Sequence, residues 1–318
     1  MGFSSKAMAV SSAPLSVSRI LWESLRLPIK SGQLLLPLLF FSLLSSSLFF
    51  YCFYSIAPIP LDLISKISIL IKETKDRPPS LLLDIERDLK DFAGLASVIT
   101  LFFFFSSLFL ALAALYTFAM AHIDIDLTPN DLLLRISRRW YQTLITRLYI
   151  VLLTVGIGIL SSLGVATVLL EADVSRPVFR FGVSLAILSF LLYLYLSTRW
   201  SMSLAITAVE ETWGIGALSW SVELYIGNKK RGMVLTLMLM VVKVAIYGAF
   251  AAVIMASWPP RPKETPMGEI GCIIAAVNGL WDLYSMAVYT VFYYECRKSH
   301  GLDSAGFSVA PVRVNAMH

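Results

Sequence analysis

Ala93-Gly-Leu-Ala-Ser-Val-Ile-Thr-Leu-Phe-Phe-Phe-Phe-Ser-Ser-Leu-Phe-Leu-Ala-Leu-Ala-Ala-Leu-Tyr-Thr-Phe-Ala-Met120 contains no charged side chain. At 1.5 Å of rise per residue, a helix of this length covers about 42 Å, more than the roughly 30 Å hydrocarbon core of a bilayer. A segment apolar on every face has no side to offer water, so it reads as a transmembrane helix.

Five more long apolar runs, each with at most one charged residue, lie outward from it: Leu34–Ala57, Leu144–Leu170, Phe181–Ile206, Met233–Trp258 and Ile270–Tyr294. The fold class expected is all-α, a polytopic membrane bundle of six transmembrane helices. Composition agrees: 57% of the residues are hydrophobic, 15% are charged, and the mean hydropathy is +0.75. The longest interruption, Pro58–Phe92, is shorter than the roughly 50 residues of a small domain. Residues 1–318 therefore read as one integral membrane domain, with no separate soluble catalytic domain.

Basic residues set the expected orientation. With six spans both termini share a side. That side carries Lys6, Arg19, Arg26 and Lys30, then Arg135, Arg138, Arg139 and Arg147 around the second loop, Arg199 and Lys229-Lys230-Arg231, and finally Arg297, Lys298 and Arg313. The other side has Arg176, Arg180, Arg261 and Lys263 in short loops, and a long loop whose basic residues are matched by acids. Both termini are expected in the cytosol and Pro58–Phe92 outside or in a lumen. The membrane expected is that of the endoplasmic reticulum or plasma membrane. A Ser- and Ala-rich, acid-free start gives an organelle membrane second place. No cleavable signal peptide is expected, because the first apolar run starts late and is long. The net charge of +5, with no basic cluster beyond 229–231, argues against nucleic acid as a partner. The partners expected are the bilayer, anionic headgroups and other membrane proteins.

Ahead of span 1, Leu21, Ser24 and Leu27 align without gaps with Leu218, Ser221 and Leu224 ahead of span 5. A weaker copy, Leu134, Ser137 and Trp140, precedes span 3. Three units are expected, each a short amphipathic helix followed by a hairpin. The Pro58–Phe92 loop is expected to hold two short amphipathic helices, Leu61–Lys75 and Leu81–Phe92, parted by Pro78-Pro79.

Lys243 in span 5 and Asn278 and Asp282 in span 6 fall in mid-membrane. Counted from the cytosolic span ends, Lys243 and Asp282 differ in depth by about 3 Å, within reach of a lysine. Burying either charge alone costs at least about 2.5–3.5 kcal/mol. Three readings fit: an ion pair that fixes hairpin packing, a proton- or substrate-responsive site, and a snorkelling lysine. Arg199, Glu210 and Glu211 read as interface residues. His122, Asp124 and Asp126 read as a solvated loop start rather than a metal site. Cys52, Cys272 and Cys296 read as free thiols. No cofactor is expected, since no phosphate-cradling glycine loop or metal-ligand spacing occurs.

Glu210-Glu211-Thr-Trp-Gly214-Ile-Gly216-Ala217-Leu218-Ser-Trp-Ser221-Val-Glu-Leu224-Tyr-Ile-Gly227-Asn-Lys-Lys-Arg231-Gly232 resembles a motif of a large plant family of six-span membrane proteins of unassigned activity. The close, Val291-Phe-Tyr-Tyr-Glu-Cys296-Arg-Lys-Ser-His300, is similar too. The motif positions are Glu211, Gly214, Ala217, Leu218, Ser221, Leu224 and Gly227. More distantly, the pattern looks like the membrane domain fused to some bacterial glycerophosphodiester phosphodiesterases. The resemblance implies six membrane helices and supplies no catalytic residue. The function expected is a non-enzymatic scaffold, adaptor or membrane-organising protein. The rival is a small transporter or permease using the Lys243/Asp282 region, which needs a polar cavity beside those groups. An intramembrane lipid enzyme ranks last.

Overall fold

The computed structural model describes residues 16–60, 62–63, 66, 79–125, 127–169, 176–210, 212–256 and 267–302. Eight helices have defined bounds: α1 Val17–Lys30, α2 Leu35–Ile56, α3 Pro79–His122, α4 Pro129–Leu169, α5 Arg176–Val209, α6 Ile215–Tyr225, α7 Lys229–Ala256 and α8 Met267–Ser299. A 3₁₀ turn, Gly32–Leu34, joins α1 to α2. No strand occurs among the described residues. Helices α2, α3, α4, α5, α7 and α8 are long and apolar enough to cross a membrane. The chain is an integral membrane protein.

Helix α3 runs 44 residues, about 66 Å, roughly twice the hydrocarbon thickness. The separate helix expected at Leu81–Phe92 is instead its first turns. No proline or glycine falls between Ser80 and Ala93, so nothing interrupts the hydrogen-bond ladder. Of the expected helix Leu61–Lys75, residues 62, 63 and 66 are described and helical, and the others lie outside the described residues. Lys66 bridges Asp62 (2.7 Å) and Asp88 of α3 (2.6 Å). Those two carboxylates push the Lys66 ammonium pKa up.

The amphipathic segment expected ahead of span 3 is likewise not free-standing. It forms the first turns of the 41-residue α4. Thr128 caps that helix: its Oγ1 accepts the Asp131 main-chain N–H at 3.3 Å and donates to the Asp131 carboxylate at 2.6 Å. From Asp131 to Val155 no proline or glycine breaks the chain. The other two copies do match. Ile20, Ser24 and Leu27 of α1 are buried, and Ala217, Ser221 and Leu224 of α6, each 197 positions later, are buried too. Leu134, Ser137 and Trp140 of the middle copy are all exposed. The two-fold likeness therefore joins the first and third units.

Helices α1 and α6 sit at one end of the bundle, with the C-terminal end of α8. Tyr284 of α8 donates to the Leu21 carbonyl (3.1 Å), and Asn228 reaches Ser299 (2.9 Å). The main core fills this terminal end. It is built from α3 (Leu112, Phe118, Met120), α5 (Met202, Ile206) and α8 (Val291, Phe292, Tyr293), with the buried stripes of α1 and α6 closing it. Gly232 makes room there: a Cβ would stand 2.5 Å from the Tyr225 ring and 3.0 Å from Phe292. The α4–α5 hairpin closes through another glycine. A Cβ on Gly164 would lie 3.0 Å from the Ala186 nitrogen. Without a side chain there, the two backbones meet directly, as small residues allow in membranes.

Candidate functional site: a cavity beside the Lys243–Asp282 pair

Lys243 lies fourteen residues into α7. Asn278 and Asp282 lie one turn apart on α8 and so share a face. The Lys243 ammonium donates to Asn278 Oδ1 at 2.8 Å and to Asp282 Oδ1. Asn278 Nδ2 donates to Asp282 Oδ2 (3.2 Å) and to Ser46 Oγ of α2 (2.7 Å). Both carboxylate oxygens therefore have a donor, and one amide links α2, α7 and α8. The Lys243 ammonium also stands 5.3 Å from the Tyr247 ring centre, where a cation is attracted to the π face.

The approach of α2 to α8 is set by Gly279. A Cβ there would stand 3.1 Å from the Ser42 carbonyl oxygen. Without it, Ser42 Oγ donates to the Gly279 carbonyl at 2.8 Å. Ser42, Ser46 and Asn278 are all buried, and each has a hydrogen-bond partner, as burial requires.

Beside this cluster lies a cavity of about 440 Å³. Helix α2 gives it Ser42, Ser45 and Ser46; α3 gives Thr100, Phe103 and Ser107; α8 gives Asn278 and Asp282. Its remaining polar wall is Arg147 of α4 and Tyr247 of α7. Arg147 corrects the sequence reading, which placed it at the second loop. It sits eighteen residues, about 27 Å, along α4. Its Nη2 donates to Ser107 Oγ at 2.9 Å, and its guanidinium stands 5.8 Å from the Phe104 ring centre. No carboxylate among the described residues pairs with it. The signal available in the sequence was the aromatic pair Trp140-Tyr141, which marks an interface nearly two turns before Arg147.

Glu210 is a second correction. It is no ordinary interface residue. Its carboxylate Oε1 accepts from the Tyr293 hydroxyl and from Arg297 Nη1 at 3.3 Å, while its main-chain oxygen accepts from Arg139. Helices α4 and α8 are thereby clasped to the end of α5. Arg199 is also engaged: its guanidinium lies 4.1 Å from the Tyr195 ring centre and donates to that hydroxyl.

The other motif residues shape the connector between α5 and α7. Gly214 adopts φ +63°, a conformation that glycine holds without strain, and its N–H donates to Thr146 Oγ1 at 2.8 Å. Ala217, Ser221 and Leu224 are the buried stripe of α6, and Leu218 is half-buried. Gly227, at φ +96°, turns the chain into α7. Glu211 lies outside the described residues. None of these lines the mid-membrane cavity.

His122 stacks on Tyr294, with ring centres 4.5 Å apart, and Asp124 pairs with Lys30 at 2.9 Å. The adjacent ammonium holds the Asp124 carboxyl below its ordinary pKa. Asp126, the third member of that group, lies outside the described residues. Cys52, Cys272 and Cys296 are free. Among the described residues no group of three His, Cys, Asp or Glu could hold a metal ion.

No curated protein and no solved structure matches the chain. A family model does, across residues 13–304: the chain belongs to the family described as Domain of unknown function, DUF8558.

Proposed function

We propose that this chain is a small permease or transporter whose substrate enters the mid-membrane cavity beside Lys243, Asn278 and Asp282. The observation that carries this reading is the space beside the charges. The Lys243 side chain is 26% exposed and the Asp282 side chain 35%, and Asp282 and Asn278 line the cavity. A pair that only locked α7 to α8 would need no such space. An ionisable group in the membrane that borders a cavity is a mark of a solute or proton path. The internal likeness adds support by analogy, since repeat interfaces are where transporters place their sites. Ser46 and Lys243 stand 197 positions apart, as the α1 and α6 stripes do, and both bond Asn278. The sequence alone ranks a scaffold first; the cavity reverses that order.

In this reading the protein is non-enzymatic and needs no cofactor. It resides in a secretory-pathway membrane with both termini in the cytosol, as the basic residues suggest. The likeness of residues 210–232 to six-span plant proteins, and to phosphodiesterase-linked membrane domains, fits a membrane role without a catalytic barrel.

One observation favours the scaffold reading. Trp22, Leu25 and Ile29 form an exposed apolar face on α1, beside Arg19, Arg26 and Lys30. Such a helix suits a headgroup layer or a membrane-protein partner.

Cysteine labelling separates the two. In a Cys52→Ser/Cys272→Ser background, Ser45→Cys and Thr100→Cys are expected to react with a small charged methanethiosulfonate in native membranes. Leu112→Cys, which is 0% exposed in the terminal core, is expected not to react. Silence at both cavity positions would replace the transporter by the scaffold.

A further inference from the structure

We propose that Arg147 makes the cavity an oxyanion site, so that its ligand carries a carboxylate or a phosphate; this rests on the cavity being open to a solute. Three charged side chains face the space or the cluster at its wall: Arg147, Lys243 and Asp282. Lys243 and Asp282 neutralise each other. Arg147 is left as one uncompensated positive charge.

Its position makes that charge costly. Tyr141, which packs on Trp213 with ring centres 6.0 Å apart, belongs with the aromatic residues that favour a membrane interface. Arg147 lies about 9 Å further along α4, within the apolar span. One serine hydroxyl and one phenyl face are its described partners, and neither supplies a negative charge. Ser107 takes one of five guanidinium N–H groups. The planar fork matches the paired oxygens of a carboxylate or phosphate better than an ammonium would. A bound oxyanion would supply the missing countercharge.

The walls narrow the class further. About 440 Å³ suits a small organic molecule. The cavity lining mixes the rings of Phe49, Phe103 and Phe104 with the hydroxyl-bearing Ser42, Ser45 and Thr100. The ligand is an organic oxyanion with an apolar body. A soluble organic acid or phosphate ester and a lipid phosphate share that chemistry.

The test uses the full chain in neutral nanodiscs, with phenyl phosphate as soluble probe and dioleoyl phosphatidate as lipid probe. Calorimetry reads the first and native mass spectrometry the second. Wild type is expected to bind one of them saturably. Arg147→Gln should weaken that binding at least tenfold and Arg147→Lys less. Arg138→Gln, on the exposed side of α4, should leave it within twofold. Binding confined to phosphatidate assigns a lipid headgroup, and binding of phenyl phosphate assigns a soluble anion. Should Arg147→Gln fail to fold, the bound probe should still slow modification of Thr100→Cys in a chain that keeps Arg147. Binding of neither probe by wild type, or equal binding by wild type and a folded Arg147→Gln, overturns the proposal. If Ser45→Cys and Thr100→Cys react while Arg147→Gln binds as wild type does, the oxyanion inference alone fails. If neither cysteine reacts, the cavity reading fails with it.

Discussion

Arg297 and Glu210 meet at the terminal end of the bundle with their side chains only 14% and 19% exposed. Lys243 and Asp282 meet in mid-membrane, at 26% and 35%, with a cavity alongside. The first pair is closed in. Tyr293 donates to the same carboxylate, Arg139 secures the Glu210 main chain, and Tyr293 itself belongs to the main core. The second is satisfied by hydrogen bonds yet remains reachable. The same charge chemistry thus stands in two settings, and what distinguishes them is packing: the main core closes on Glu210 through Tyr293, whereas a cavity remains beside Asp282. A third pair, Lys30–Asp124, stands outside the spans and is exposed at 51% and 76%.

Breaking the three pairs should rank them by burial. Glu210→Ala removes the carboxylate that Arg297 and Tyr293 share. Losing one partner of a buried pair costs about 3–5 kcal/mol. A large fall in the thermal midpoint of the purified protein is expected, and an unchanged midpoint would show that the clasp carries no stability. Lys243→Met should cost less, between the roughly 1 kcal/mol of an exposed pair and the buried figure, because this pair is only partly buried. The double variant Lys243→Met/Asp282→Leu should be more stable than the single one, since it leaves no charge unpaired. Equal midpoints for single and double variants would mean that the two residues do not depend on each other.

Lys30–Asp124 should give the smallest effect, and it has a defined pH sign. Lys30 lowers the folded-state pKa of Asp124 below its ordinary 3.8. The stabilisation is therefore present above that ordinary value and is lost as pH falls through the lower, folded one. Lys30→Ala should remove this acid-side loss and leave the midpoint at neutral pH almost unmoved. A pH profile identical to wild type would show that the contact is incidental.

The spans were legible because long apolar runs with at most one charged residue each permit few other structures. The meeting of Lys243 with Asp282 was legible too, because antiparallel helices of fixed rise convert residue counts into depth. Arg147 was not. It lies three residues inside the run Leu144–Leu170, where a window of hydropathy cannot separate the first turn of a span from the loop before it. Glu210 was missed for another reason. Its partners Tyr293 and Arg297 lie 83 and 87 positions away, and only the tertiary fold brings them near. The middle amphipathic copy misled because its pattern resembles the others while its capped start at Thr128 commits the chain to one continuous helix.

The length of α3 has a mechanical consequence. Thr100, on the cavity wall, and Asp88, held by Lys66, belong to one helix and stand about 18 Å apart along it. Because one unbroken helix carries both, the contact that Lys66 makes with Asp88 and the wall that Thr100 gives the cavity are held on a single frame rather than on two elements joined by a hinge.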